Sequence, residues 1–143
     1  MIPYKKTTNY TSASASLMII INHFKPDFAI NQENEFKIWL SSVNLPTRAS
    51  SIYGLANFAK EQGLNPSLIL ENKNYEYPDY RFKGYKKVEI EQAEFSNNLH
   101  KLKSKELNFI LNLFEICSIF LKIACKKFNN SCVKICLTYS FSS

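Results

Sequence analysis

Five consecutive apolar residues, Leu17–Ile21, follow a polar turn, Lys6–Thr11, and a serine-alanine stretch that starts at Ser12. No polar side chain interrupts that run, so it demands burial on most sides wherever the fold places it. Leu17, Ile20, Ile21 and Phe24 recur at the spacing of one helix face. Ser12 reads as the N-cap, Ala13 and Ala15 as helix formers, and Pro26 stops the helix at about His23 or Phe24. A helix this apolar is expected at the centre of the fold. Its amino end also carries a chemical expectation. Unpaired N–H groups and the helix dipole stabilise negative charge there, and a cysteine in that field becomes a usable thiolate. The residue present is serine, which gains far less. The segment has the frame of a nucleophilic site without the usual nucleophile.

The chain around it reads as mainly helical. Ile2-Pro3-Tyr4 is an extended lead-in, because the residue before proline is pushed away from helix. Asn31 or Gln32 opens a second helix carrying Glu35, Phe36, Ile38, Trp39 and Leu40, and Pro46–Ser50 is a loop. A third helix runs from about Ile52 to Gln62, with Gly63 as its C-cap and Leu55, Ala56, Phe58 and Ala59 on its apolar face. A short strand is expected over Ser67–Leu70. The aromatic stretch that follows, with Tyr75, Tyr77, Tyr80, Phe82 and Tyr85, is read as a loop packed on the helices rather than a base-stacking surface. Val88–Lys105 is a fourth helix, with Ile90, Ala93, Leu99 and Leu102 spaced for one face. His100 lies in it with no carboxylate at helical spacing to orient it as a base, so a surface or half-buried histidine is expected.

From Leu107 the composition changes. Residues 107–128 are strongly apolar except for a narrow stripe of Asn108, Asn112, Glu115 and Lys122. That stripe interrupts the run a membrane-spanning helix needs. A buried or partner-seeking amphipathic helix is favoured, with membrane-surface contact as the less favoured alternative, and the last 15 residues read as one ragged strand. All four cysteines, Cys117, Cys125, Cys132 and Cys136, lie here without a histidine among them. They lack the two tight pairs of a zinc site and read as free thiols; no metal or cofactor is expected. The absence of a signal-peptide pattern points to the cytoplasm. At 143 residues the chain is long enough for one real core. Its net charge of +6 is spread as isolated lysines and Lys-Lys pairs, which reads as a solvated surface and not as a nucleic-acid site.

The phrase I-P-Y-x-x-x-T-x-Y-T-x-x-x-A-S-L at Ile2–Leu17 resembles the start of the bacteriocin-processing (double-glycine) cysteine peptidase-like family, within the papain-like superfamily. The resemblance continues through N-E-F-x-I-W at Asn34–Trp39, P-T-R at Pro46–Arg48 and Y-G-L-A-x-x-A-x-x-x-G at Tyr53–Gly63, and extends to about Glu106. It implies an α+β fold of which this chain holds the N-terminal helical lobe, the second, sheet lobe being missing or replaced by an apolar helical tail. Two regions follow: residues 1–106, peptidase-like, and residues 107–143, a cysteine-rich tail unlike the family. The family's chemistry uses a cysteine thiolate at a helix N-terminus, a histidine with an acid or amide partner, and a glutamine that helps bind the oxyanion.

Carried over by position, the nucleophile falls on Ser12 and the oxyanion glutamine on Lys6, while Ala13-Ser14 replaces the Gly-Pro after the cysteine. No histidine follows His100 and no aspartate follows Asp79. His23 lies eleven residues along the helix from Ser12, about 16 Å at the helical rise and too far for a hydrogen bond. The resemblance therefore implies a degenerate or truncated cysteine peptidase-like protein, catalytically inactive, that takes a peptide or protein ligand at the amino end of the Ser12 helix. Two alternatives stand beside it: a non-enzymatic interaction module whose tail docks a partner or membrane, and an active hydrolase using Ser12 with His23 or His100 brought in by folding.

Overall fold

The computed structural model describes residues 3–70, 84–111 and 134–138. Among the described residues four α-helices form the body of the fold: α1 (Ser12–Phe24), α2 (Gln32–Ser42), α3 (Ile52–Glu61) and α4 (Lys87–Lys103). Two-residue strands β1 (Val43–Asn44) and β2 (Ala49–Ser50) form a small antiparallel pair between α2 and α3, joined by a turn with a cis Leu45–Pro46 bond. The fold class is α+β, as expected.

The helices start where their caps dictate. Asn31 accepts the Asn34 N–H at 2.8 Å to open α2, and Ser51 accepts the Gly54 N–H at 3.4 Å to open α3. Gly63, at φ +76°, ends the α3 segment in the left-handed conformation that glycine tolerates best. α1 differs from expectation by one residue. Thr11 holds the N-cap position, its side chain makes no capping bond, and Ser12 is the first helical residue.

Two apolar clusters hold the elements together. Leu17, Met18 and Ile21 of α1 meet Ile38 of α2 and Leu55, Phe58 and Ala59 of α3. Met18, Ile21 and Ile38 are fully buried, each worth about 1.5–3 kcal/mol relative to exposure. On the other side of α3, Tyr53 and Ala56 pack with Leu68 and Leu107. The helix expected at the centre, α1, supplies the first cluster only; α3 is the element shared by both.

The second cluster rests on a three-stranded sheet in the order β4–β3–β5. β3 (Asn65–Leu70) is central, with β4 (Asn108–Leu111) parallel to it and β5 (Lys134–Thr138) antiparallel. This corrects the expected apolar helix over 107–128 at its start, where Asn108–Leu111 is strand; residues 112–133 lie outside the described residues. The strand expected near the carboxyl end is β5. On α4, Ala93 is buried as expected, but Leu99 and Leu102 point to solvent and Asn97 takes the buried position. The aromatic stretch at 71–83 lies outside the described residues. No helix among the described residues is long and apolar enough to cross a membrane.

Candidate functional site

The amino end of α1 is positioned by a buried carboxylate on the neighbouring helix. Glu35 stands in the first turn of α2, on the same stripe as Ile38 and Ser42, and is fully buried. Its Oε2 accepts the Tyr4 hydroxyl at 2.8 Å and the Thr7 hydroxyl at 2.8 Å, and the Thr7 N–H lies 3.1 and 3.2 Å from the two oxygens. Burial pushes the Glu35 carboxyl up, but the hydrogen bonds from Thr11, Thr7 and Tyr4 outweigh it and hold the group below its ordinary value. Burial and the adjacent Glu35 in turn raise the Tyr4 phenol. These bonds clamp residues 4–11 onto the start of α2. They fix where the chain enters α1.

Lys6 sits inside that clamped segment, and its Nζ donates to Ser12 Oγ at 2.5 Å and to the Asn9 carbonyl at 3.5 Å. The two positions carried over from the family, Ser12 and Lys6, are thus in direct contact. Lys6 is exposed and Ser12 half-buried. Thr11 is turned back on Thr8, with the two hydroxyls 2.9 Å apart. The first N–H groups of α1 are therefore left without a side-chain cap.

Neither histidine joins this pair. His23 is exposed at the carboxyl end of α1 against Phe24, with ring centroids 5.2 Å apart. His100 is half-buried on α4, its Nε2 3.4 Å from the Val43 carbonyl oxygen. Burial lowers its pKa more than that carbonyl raises it, and Lys103 lowers it further. Its surroundings are β1 and α3: a Cβ built on Gly54 would lie 3.1 Å from His100 Nδ1. Neither imidazole hydrogen-bonds Ser12 among the described residues. Cys117, Cys125 and Cys132 lie outside those residues, and Cys136 falls in β5 opposite Ser67.

Two residues before Ser12, Tyr10 belongs to an aromatic and cationic group. Tyr10 packs on Trp39 at 5.0 Å between centroids, Trp39 meets Phe36 edge-on at 6.1 Å, and the Arg48 guanidinium lies 5.7 Å over the Tyr10 ring. Trp39 Nε1 donates to the Arg48 carbonyl at 3.0 Å, fixing the turn in which Arg48 adopts φ 62°. Trp39 is one helical turn beyond Glu35, so one side of α2 both clamps the entering segment and builds this rim.

Neither Glu35 nor the Tyr10–Trp39–Arg48 rim was singled out for a role from sequence. Glu35 carried a readable signal, a carboxylate on the same helical stripe as Ile38. The rim did not, because Tyr10, Trp39 and Arg48 come from three separate segments.

No curated protein and no solved structure matches the chain. A family match covers residues 2–126, most of the sequence, and runs past Glu106 into the tail. It spans the clamp, the Lys6–Ser12 contact and the rim, and the family is the one described as Peptidase_C39 like. The chain belongs to the Peptidase_C39-like family.

Proposed function

We propose that this protein is a catalytically silent member of its family that binds peptide at the amino end of α1. The observation that carries the reading is the Lys6–Ser12 contact. A serine becomes a nucleophile when a base accepts its proton, whereas the Lys6 ammonium donates a hydrogen bond to the same oxygen. A lysine acts as a base where burial strips its charge, and Lys6 lies exposed. The features that orient a peptide remain: uncapped N–H groups at the start of α1, and the rim of Tyr10, Trp39 and Arg48.

The test is a titration with a short peptide that carries Gly-Gly and then several further residues, followed by amide resonances and by mass spectrometry of the peptide. Shifts confined to Thr11–Ser14 and the Tyr10–Trp39–Arg48 rim, with the peptide intact, are expected. Cleavage that disappears in Ser12→Ala would refute silence, and no shift at either place would refute binding.

The same contact favours a second reading, a Ser–Lys pair in which deprotonated Lys6 takes the Ser12 proton. It requires activity that is lost in both Ser12→Ala and Lys6→Gln. The tail's proposed part, whether truncation product or docking segment, is separate from both readings.

A further inference from the structure

α4 presents an apolar stripe that no described element covers. Its inner face is spent on the fold: Ala93 and Asn97 are buried, and Asn97 Oδ1 accepts the Ser51 hydroxyl at 2.7 Å and the Asn44 amide at 3.3 Å. On the outer face, Val88, Phe95, Leu99 and Leu102 are between 46% and 66% exposed. With Gln92 among them they recur at alternating steps of four and three, the seam of a two-helix coiled coil.

We infer that α4 is a self-association surface, pairing antiparallel with α4 of a second copy of this chain. Charge selects the occupant and the direction. The stripe is flanked by Glu89 and Glu91 at its amino end, and at its carboxyl end by Lys103, the last residue of α4, and Lys105 in the 3-10 turn that follows. Within its own helix Glu89 accepts the Lys86 N–H at 2.6 Å, and Glu91 lies 3.8 Å from Lys87, an exposed pair that a second copy can replace. Antiparallel pairing that sets Phe95 against Leu99 of the second copy brings Glu89 to Lys103 and Glu91 to Lys105, each contact occurring twice about the two-fold axis. In a parallel pair Glu91 would face Ser96, and no acid would meet a base. A groove of about 460 Å³ beside Leu102, bordered by Asn98, Lys101 and Lys105, lies where the acidic end of the second helix would arrive. Exposed ion pairs add little affinity, but they set orientation and partner choice. The single-helix seam makes a small interface, so the dimer is a weak, concentration-dependent one.

Sedimentation equilibrium of the full chain, from micromolar to near-millimolar concentration, tests this. A monomer–dimer equilibrium is expected. Glu91→Lys and Lys105→Glu should each weaken it about tenfold, the order expected for losing two ion pairs and gaining two like-charge contacts, and an equimolar mixture of the two variants should restore it. Phe95→Ser, at an exposed position that leaves the core intact, should abolish it with the helical circular dichroism unchanged. A chain that stays monomeric throughout would mean that something else covers the stripe, and would overturn the inference. So would a dimer indifferent to Phe95→Ser, or charge-reversed variants that do not rescue each other.

Discussion

The Glu35 carboxylate is buried, and hydroxyl and backbone donors supply what water would otherwise give it. Because its folded pKa lies below the ordinary value, the stability it contributes is fully present above about pH 4.3, the usual unfolded glutamate value. That stability is lost as pH falls through the folded value. Glu35→Gln places an NH₂ group among donors that need an acceptor, and should cost about 1.5–3 kcal/mol at neutral pH. Denaturant titrations of both proteins at pH 7 and pH 3 check this: the gap between them should narrow at acid pH, and a gap independent of pH would contradict the role of the anion. Lys6 and Ser12 were readable as positions, since a family phrase supplied their register. Their contact was not readable, because it depends on how Glu35 bends the segment between them.

Among the elements, α2 and α3 are in close contact at Gly54. A Cβ there would lie 2.6 Å from Ser42 Cα and 3.0 Å from Ser42 Cβ, so backbone would have to move. Gly54→Ala should therefore destabilise the fold by about 1–3 kcal/mol despite alanine's higher helix propensity. Thermal unfolding of the variant checks it, and an unchanged or raised midpoint would show that the helices separate freely. The starts of α2 and α3 were legible because Asn31 and Ser51 are strong caps acting locally. The start of the tail was not. From Leu107 the apolar residues suit a buried strand as well as a helix, and strand pairing with Ser67–Leu70 decides between them. The outer side of α4 misled for a related reason: Leu99 and Leu102 fit an apolar face, but the buried face is built around Ala93 and Asn97.

On the scale of the whole molecule, the tail is joined to the helical part through β3. Both edges of β3 are occupied by strands that follow Glu106, and Leu107 packs with Tyr53, Ala56 and Leu68. A chain ended after Glu106 should lose cooperative unfolding and aggregate through the bared edges of β3. Light scattering and thermal melts check this, and a monomeric fragment with the full chain's midpoint would show that residues 1–106 stand alone. The α+β class was legible because the family resemblance implied it, with helical periodicity and the short strand after Pro66 beside it. The sheet order was not, since it depends on pairing between segments far apart in the chain.

The proposed function requires that the amino end of α1 keep the frame of a nucleophilic site while Ser12, held by Lys6, is unreactive. Intact-mass labelling at neutral pH tests this most directly, using a fluorophosphonate on the chain and iodoacetamide with peptide mapping on the chain and Ser12→Cys. No adduct at Ser12 is expected, and selective alkylation at position 12 is expected in the variant, where the helix field lowers the thiol pKa. Phosphonylation of Ser12 in the unaltered chain would contradict this.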